Sequence, residues 1–418
     1  MKMPILIETQ DIFQHIEDSM NILFLTMNTF KSIDMHNIYS DLMKVFVSHG
    51  HRPYIVTPRE KRMGEETELC NYEDYSILKV KIGNTSNVSF VEKGISTVLL
   101  ETQFNKAIDK YLGNVKFDII LYSTPPITLA GVVKRTKRMS GAKTYLMLKD
   151  IFPQNAIDIG LFSAKSPIAK YFRQKEKKLY RLSDKIGCMS PANVEFVLKH
   201  NPEIPRDKVE ILPNAIILNP LVDRESAKKG VRTQFNVPNE AITFLFGGNL
   251  GKPQGIPFLI ECLRSVKDRK DFFFFVCGRG SEFNLLKEFK EKETPTNFCL
   301  IDFLPKQEYD QLASGCDVGL ILLDHRFTIP NYPSRILSYM ENATPVICAT
   351  DPNTDIGKMV EENKFGFACE SNSVSAFVDC LERIKAADRE TMGNTARELC
   401  STLFSVEKCY STIMKSCE

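Results

Sequence analysis

A chain of 418 residues with 43% hydrophobic and 25% charged residues has the composition of a soluble globular protein and is long enough for two or three domains. These averages argue against a disordered chain, a collagen-like repeat and a coiled-coil rod. The net charge of +2 gives no general case for nucleic-acid binding, so we expect no nucleic-acid partner. Residues 20–215 carry a net charge of +9 and residues 216–418 carry −4. This asymmetry is consistent with a first half that binds an anionic partner, and equally with an ordinary solvated surface.

The cysteines and histidines show neither a disulfide pattern nor zinc spacing. The 12 cysteines are scattered, and several sit in apolar runs, which is typical of core thiols in a reducing compartment. With no Asp-x-Asp pair to hold a metal-bound nucleotide, we predict no metal. No apolar run approaches the roughly 18 residues of a membrane span, and we do not expect the first nineteen residues to be a secretory signal. We therefore expect a cytoplasmic protein.

The first half of the chain alternates short apolar runs with segments of helical spacing. Residues 21–27 and 53–57 are strand-like, and residues 37–49 between them carry apolar side chains at helical intervals. Further buried strands are predicted at residues 117–122, 144–149 and 185–189. This pattern predicts a doubly wound α/β domain at residues 20–215, preceded by an N-terminal extension at residues 1–19.

The alternation resumes after a looser stretch rich in Pro and Asn at residues 202–220. Strands are predicted at residues 242–246, 272–277, 297–301, 318–322 and 345–349. They indicate a second Rossmann-like domain at residues 216–400, and the helical segment 401–418 is expected to close the molecule. In such a fold a nucleotide site is expected in the central cleft, where the carboxyl ends of strands and the amino termini of helices converge.

Two loops of the second half carry the features of a diphosphate site. Residues 247–255, GGNLGKPQG, offer four glycines for close backbone approach, and Lys252 adds a mobile positive charge before a helix. In residues 329–335, Pro333 and Ser334 suit a helix start, and Arg335 is suited to bidentate pairing with a phosphate.

A third loop, residues 277–282 (CGRGSE), is interpreted on its own as an ordinary strand-to-helix turn. It lacks the third glycine of the dinucleotide fingerprint, which disfavours a nicotinamide enzyme.

Short motifs occur in a specific order along nearly the whole chain from Met20. They lie at residues 37–42, 48–51, 149–156, 212–215, 248–251, 254–255, 278–282, 317–320, 333–335, 339–340 and 345–346. In this order they resemble the retaining nucleotide-sugar glycosyltransferases of GT-B fold, family 4, of the bacterial capsule and O-antigen biosynthesis type. The resemblance implies two Rossmann-like domains facing a central cleft, the first binding the acceptor and the second the nucleotide sugar.

The resemblance also implies an activity and residue roles. A sugar, expected to be an N-acetylated amino sugar, would pass from a UDP-sugar to a lipid-linked saccharide or glycan acceptor with retention and without a cofactor. The implied donor-binding residues are Gly248, Asn249, Gly251, Gln254, Gly278, Arg279, Glu282, Ile301, Pro333, Ser334 and Ser338. The predicted catalytic residues are Asp150, Lys252 and Arg335, and the predicted acceptor-binding residues are His36, Asn37 and Lys149. Capping of the following turn is the alternative role for Asp150.

The sequence departs from the family pattern at three places. Pro330 and Ser338 stand where the broader family often has a pair of glutamates, the second of which contacts the donor ribose. Gln254 stands where many relatives have a basic residue, so Lys252 is expected to supply that charge. Lys149 takes the place of a frequent histidine before Asp150.

Residues 165–181 form a basic segment with interleaved apolar side chains. It holds seven Lys and Arg residues against Glu176 alone. Such a helix is suited to an anionic membrane surface, here the inner face of the plasma membrane, although a solvated helix with an ordinary buried stripe has the same pattern.

Two other functions share this architecture and stay open: a sugar-nucleotide 2-epimerase, and a nucleotide-sugar-binding protein without catalysis.

Overall fold

The structure is a computed structural model that describes residues 19–85, 88 and 90–417. The extension expected at residues 1–19 thus lies outside the described residues except for Ser19. The strands are β1 (Asn21–Leu25), β2 (Arg52–Glu60), β3 (Glu68–Asn71), β4 (Ser76–Ile82), β5 (Ile119–Ser123), β6 (Lys143–Leu148), β7 (Lys185–Cys188), β8 (Val209–Ile211), β9 (Ile242–Gly247), β10 (Phe272–Cys277), β11 (Phe298–Ile301), β12 (Val318–Leu322), β13 (Val346–Thr350) and β14 (Gly366–Glu370).

Helices cover both faces of the two sheets. They are α1 (Ile38–Ser48), α2 (Phe90–Leu112), α3 (Ala130–Ser140), α4 (Gln154–Asp158), α5 (Pro167–Leu182), α6 (Pro191–His200), α7 (Arg224–Phe235), α8 (Ile256–Ser265), α9 (Phe283–Glu293), α10 (Lys306–Gly315), α11 (Arg335–Glu341), α12 (Ile356–Glu362), α13 (Val374–Ala386), α14 (Arg389–Leu403) and α15 (Val406–Cys417).

The first sheet has eight strands in the order β3-β4-β2-β1-β5-β6-β7-β8. All neighbours are parallel except β3 and β4, which pair antiparallel at the sheet edge. The predicted strands of the first half are present. Sequence reasoning left β3 and β4 unassigned, and β8 lies inside the stretch at 202–220 that was expected to be loose, so that expectation was wrong over these three residues.

The second sheet has six parallel strands in the order β11-β10-β9-β12-β13-β14. Five of them were predicted, and the edge strand β14 was not. The crossover from β10–β11 to β12 on the other side of β9 makes a switch point at the carboxyl end of β9, where open sheets of this kind bind ligands. The predicted α/β class with two Rossmann-like domains is confirmed.

The hydrophobic core lies on both faces of each sheet. In β1, Leu23 packs into one cluster and Phe24 into the cluster on the opposite face, and both side chains are fully buried. In β10, Phe274 and Phe275 divide in the same way. Each such side chain contributes about 1.5–3 kcal/mol by leaving water, which explains why these strands are apolar without alternation.

The end of the chain returns to the first domain. α14 packs in the second domain, whereas Val406, Cys409 and Ile413 of α15 join the core of the first. His51 Nε2 lies 2.8 Å from the hydroxyl of Tyr410 and fixes α15 against the start of β2. Within the described part of the chain, no helix is both long enough and apolar enough to cross a membrane.

Candidate active site

A cleft of about 670 Å³, which we call the glycine-loop cleft, opens beside the carboxyl ends of β9 and β10. The loop after β9, the loop after β10, the segment after β11 with the start of α10, and the segment that enters α11 line it. Nine predicted residues meet there: Gly248, Asn249, Gln254, Gly278, Arg279, Pro333, Ser334, Arg335 and Ser338. Most of the predicted donor-binding residues therefore line one cavity.

The glycines of the second loop allow the two loops to pack against each other. A Cβ on Gly278 would lie 1.8 Å from the carbonyl oxygen of Gly248, and one on Gly280 would lie 2.3 Å from the carbonyl group of Leu250. Gly278 has a φ of +153° and Gly248 a φ of +123°, in a region that side chains rarely adopt. The ordinary-turn interpretation of residues 277–282 thus misses a packing role.

The first loop offers fewer backbone donors than its glycines suggest. The amide of Gly248 donates to the carbonyl of Cys277 at 2.9 Å, and the amide of Leu250 donates to the carbonyl of Arg279 at 2.8 Å. These two N–H groups are already paired, so positive charge in this cleft has to come mainly from a side chain.

Arg335 supplies that charge. Its guanidinium lies over the ring of Phe246 at 4.4 Å from the centroid, and its Nη2 donates to Gln254 Oε1. Its Nη1 is buried and has no hydrogen-bond partner among the described residues. Burial lowers the pKa of the guanidinium from its usual value, because the charged form is desolvated. A buried, half-satisfied cation is costly, and an anion bound in the cleft would offset that cost.

Lys252 is placed differently from the expectation. It is exposed on the short 3₁₀ turn Lys252–Gln254, and it is not among the residues that line the glycine-loop cleft. Its charge acts on Glu282, whose pKa burial raises and Lys252 lowers. The cation that contacts Gln254 in the structure is Arg335, through the hydrogen bond from its Nη2 to Gln254 Oε1.

The remaining predicted donor residues, Gly251, Glu282 and Ile301, make backbone hydrogen bonds that hold the loops in place. The carbonyl of Ile301 accepts the amide of Gly278 at 3.0 Å, the carbonyl of Gly251 accepts the amide of Gln254 at 2.9 Å, and the amide of Glu282 donates to Leu250.

Asp150 follows β6 at the carboxyl edge of the first sheet. Its Oδ2 accepts from Asn155 Nδ2 at 2.6 Å, whereas its Oδ1 is buried without a partner in the described part of the chain. Burial raises the pKa of this carboxyl group to about 6, and the hydrogen bond from Asn155 works against that rise. A carboxylate with one free oxygen and a pKa near neutrality is suited to accept a proton.

His36 and Asn37 border a second cavity, of about 420 Å³, which we call the interdomain cavity. It shares Ser334 and Ser338 with the glycine-loop cleft, so the two spaces are adjacent. Asn37 caps α1, since its Oδ1 accepts from the amides of Tyr39 and Ser40.

The imidazole of His36 bridges the two domains. Its Nδ1 lies 2.9 Å from Asp41, and its Nε2 lies 3.1 Å from Glu341 of the second domain. The hydrogen bonds with Asp41 and Glu341 raise the pKa of His36 to about 9. His36 is therefore engaged at the boundary of the two domains and is not a free surface side chain.

Lys149 is the third predicted acceptor residue, and its ammonium group is buried. Its Nζ donates to the carbonyls of Leu212 and Pro213 at 3.4 and 3.3 Å, and burial lowers its pKa to about 8. The structure thus gives Lys149 a role in joining β6 to the segment after β8.

The cleft also contains three residues outside the loops that the sequence analysis singled out: Phe303, Leu304 and Tyr309. Gly247, Cys277 and Asn331 lie within those loops but had no predicted role. Phe303 is 62% exposed at the cleft, with the guanidinium of Arg279 5.1 Å from its ring centroid. Arg279 in turn pairs with Asp302 at 2.6 Å. In the sequence, Phe303 is marked only as an aromatic residue two positions after the strand that ends at Ile301, and this alone does not indicate a cleft residue. Among the described residues, no cluster of His, Cys, Asp or Glu side chains is arranged to hold a metal ion.

Both halves of the chain match glycosyltransferase families. Residues 37–219 match the family described as Glycosyltransferase Family 4, and residues 228–399 match Glycosyl transferases group 1. A similar curated protein is "Probable glycosyltransferase WbjE" of Pseudomonas aeruginosa, 24% identical over 69% of this chain and 71% of the relative. The "Putative colanic acid biosynthesis glycosyl transferase WcaI" of Escherichia coli K12 is 21% identical over 63% of this chain and 65% of the relative.

A solved structure of similar fold is that of HepE from Anabaena in complex with UDP and glucose. It superposes with a TM-score of 0.66 at 15% identity, over 95% of this chain and 99% of that one. The two parallel-sheet domains and the similar solved structures lead to one conclusion: the chain has the GT-B fold, and each of its halves is similar to a glycosyltransferase family.

Proposed function

We propose that this protein is a glycosyltransferase that moves a sugar from a UDP-sugar to a lipid-linked saccharide acceptor, with retention, during the synthesis of a surface polysaccharide. The observation that carries the proposal is the buried guanidinium of Arg335, whose Nη1 has no partner among the described residues beside a cleft of about 670 Å³. The UDP and glucose bound to the Anabaena protein and the colanic acid named for the E. coli relative support the donor and the pathway class.

The demanding step is departure of the nucleoside diphosphate. Negative charge grows on the leaving oxygen while the sugar gains positive charge at its anomeric carbon. Arg335 places fixed positive charge at the cleft, and Gln254 and the Phe246 ring hold it in position. A preorganised donor in a water-poor site contributes about 3–4 kcal/mol to such a barrier, because no solvent has to reorganise as the charge develops.

The acceptor enters from the first domain in this proposal. Asp150 accepts the proton of the attacking hydroxyl at its unpaired Oδ1, or holds that hydroxyl in line. Phe303 forms an apolar platform at the mouth of the cleft, which is suited to the flat face of a nucleobase. Ser334 and Ser338, which border both cavities, lie where donor and acceptor meet. Because the hydroxyl of Ser338 is uncharged and its side chain is shorter than that of glutamate, the ribose would lack the carboxylate contact that relatives with the second glutamate make.

The transferred sugar is proposed to be an N-acetylated amino sugar, on the basis of the family resemblance. The test is to incubate the protein with a panel of UDP-sugars, with and without an extract of lipid-linked acceptor, and to measure UDP release. Release that requires acceptor supports the proposal, and NMR of the product gives the anomeric configuration. Conversion of the sugar without acceptor would instead indicate the epimerase, and binding without chemistry would indicate a sensor protein.

We also propose that α5 docks on an anionic membrane. Ile168 and Tyr171 are 48% and 43% exposed on this helix, and Leu161 just before it is 51% exposed. Lys165, Lys170 and other basic residues flank them. Apolar side chains that project between cations are suited to the headgroup region, where the cations meet lipid phosphates and the apolar groups enter the acyl boundary.

A further inference from the structure

Residues 323–334 join β12 to α11, and we call them the entry segment because they lead into the helix that begins with Arg335. The structure describes the whole segment, which contains turns and bends but neither helix nor strand. Asn331, Pro333 and Ser334 of this segment line the glycine-loop cleft. A segment without regular structure keeps a fixed path only where other parts of the protein bind its backbone groups, so its hydrogen bonds decide where these cleft residues lie.

One peptide unit of the entry segment is held by both domains. The carbonyl of Pro330 accepts a hydrogen bond from Asn193 Nδ2 of the first domain at 2.9 Å. The amide of Asn331 donates to Thr354 Oγ1 of the second domain at 3.1 Å. These two backbone groups belong to the same planar peptide, so its orientation is fixed from two sides. Asn193 and Thr354 are 1% and 7% exposed, so little water competes for either bond.

Asp351 orders the loop that carries Thr354, residues 351–354, which we call the β13 loop. Oδ1 of this carboxylate accepts the amides of Asn353 and Thr354 at 2.9 and 3.0 Å, and Oδ2 accepts the hydroxyl of Thr354 at 2.8 Å. Asp351 is only 2% exposed, and burial raises the pKa of its carboxyl group while these hydrogen bonds lower it. The β13 loop therefore presents the oxygen of Thr354 in a fixed place.

The hydroxyl of Thr354 gives this chain of hydrogen bonds a direction. Its single hydrogen is donated to Asp351, so its oxygen is left to accept the amide of Asn331. A hydrogen bond to a carboxylate is about twice as strong as a neutral one, and it polarises the bond that precedes it in the chain. Asn353 adds a second tether, because its Nδ2 donates to the carbonyl of Phe327 at 2.8 Å. The β13 loop thus holds the entry segment at two points.

We propose that Thr354 and Asp351 are positioning residues for the transfer reaction. By fixing the peptide between Pro330 and Asn331, they set the path on which the entry segment leads into α11 and brings Arg335 to the glycine-loop cleft. This inference rests on the proposed function, in which Arg335 meets the departing diphosphate. The described residues that line the cleft include neither Thr354 nor Asp351, so both act through the entry segment and not on the substrate.

Thr354→Val tests this link because valine keeps the branched shape of the side chain and removes the hydroxyl. Hydrogen exchange of the full-length protein, followed by mass spectrometry, measures how readily the entry segment opens. We expect the peptide covering residues 327–335 to exchange about tenfold faster in Thr354→Val, because a buried hydrogen bond is worth about that factor. Thr354→Ser keeps the hydroxyl and should restore the wild-type rate.

The affinity for UDP, measured by isothermal titration calorimetry, separates a positioning role from a purely structural one. We expect Thr354→Val to bind UDP about three- to tenfold more weakly, and Thr354→Ser to bind it as the wild type does. Thr391→Val is the matched control, because the hydroxyl and the amide of Thr391 donate to Asp388 at 2.7 and 3.1 Å in the same pattern, at the exposed start of α14. It should change neither the exchange of the entry segment nor the affinity.

Asn353→Ala removes the second tether and serves as the second variant should Thr354→Val not fold. We expect it to change both measurements in the same direction and by less. Unchanged exchange of the entry segment, or unchanged UDP affinity, in variants that fold as the wild type does would overturn the positioning role. A wild-type protein that does not bind UDP would instead refute the proposed function, and the exchange data would still decide whether Thr354 holds the entry segment.

Discussion

Arg335 and Gln254 form a unit whose parts are far apart in the sequence. The side chain of Gln254 accepts Nη2 of Arg335, and this leaves Nη1 as the buried donor without a protein partner among the described residues. Without Gln254 the guanidinium would keep its charge and its contact with Phe246 but lose one of two restraints. Loss of Arg335 should therefore remove the positive charge from the cleft, whereas loss of Gln254 should leave the charge but free its orientation.

Replacing Arg335 tests the charge directly. We expect Arg335→Ala to lower kcat/KM by on the order of a hundredfold or more, because the leaving oxygen loses its fixed cation. Gln254→Ala should lower it by about tenfold. Arg264→Ala, on α8 in exposed pairs with Glu261 and Glu293, serves as the control and should not change the rate. The measurement is UDP release at several donor concentrations; an Arg335→Ala enzyme within a few-fold of wild type would refute the site.

Asp150 gives a pH dependence with a defined sign. Because burial raises the pKa of its carboxyl group to about 6, a role as base requires the deprotonated form, which is lost as the pH falls through about 6. We expect kcat/KM to fall about tenfold per pH unit below that value, and Asp150→Asn to be slow with a flat acid limb. Circular dichroism over the same range controls for unfolding. An acid limb that persists in Asp150→Asn would assign it to another group.

Sequence reasoning found the elements whose pattern is strongest. Strands such as β9 and β10 are buried on both faces, so they read as continuous apolar runs that the prediction located within one residue. β3 and β14 lie at sheet edges and are only partly buried, so their residues lack such a run. β8 has only three residues in a Pro- and Asn-rich stretch. Whether an edge segment forms a strand depends on pairing with a neighbouring strand, and the local sequence carries no information on that pairing.

The candidate site shows the same limit at the level of side chains. The glycine loops and Arg335 were predictable because their residue types are tied to the chemistry of phosphate binding. The hydrogen bond between Arg335 and Gln254 was not predictable, because it depends on how closely the loop after β9 approaches the start of α11. Likewise, Phe303 became visible as a cleft residue only when the fold placed it beside Arg279.

The basic helix α5 is tested as a unit. We expect Ile168→Ser with Tyr171→Ser to reduce flotation with vesicles rich in anionic phosphatidylglycerol several-fold, since the apolar anchor is lost while the cations remain. Wild-type protein should bind these vesicles and release them at high salt. Leu285→Ser is the control, because Leu285 is 40% exposed but lies on α9, outside the basic helix. Equal flotation with anionic and neutral vesicles, or none with either, would remove the membrane proposal.

The two domains are joined by polar contacts. Asp158 accepts the amide of Thr328 at 2.8 Å, and Asn193 Nδ2 donates to the carbonyl of Pro330 at 2.9 Å. Both contacts hold the segment that leads into α11, which carries Arg335. His36 makes a further contact, with Glu341 at the carboxyl end of α11. The position of Arg335 in the cleft therefore depends on how the domains are docked.

His36 makes this docking sensitive to pH. Its folded-state pKa of about 9 lies above the ordinary value of 6.5, so its stabilising contribution is complete below about 6.5 and is lost as the pH rises through about 9. Between pH 6.5 and 9 we expect the thermal midpoint of the wild type to fall by a few degrees more than that of His36→Gln. This corresponds to a loss of about 1–3 kcal/mol in the free energy of unfolding.

Differential scanning calorimetry of both proteins from pH 6 to 10 measures this difference. His49→Gln is the control, because His49 pairs with Glu407 between two exposed side chains and not across the domains. The donor affinity of His36→Gln should also decrease, since Glu341 is on the same helix as Arg335. A difference in midpoint that does not change with pH would mean that His36 acts by packing alone, and that the charge on its imidazole does not hold the domains together.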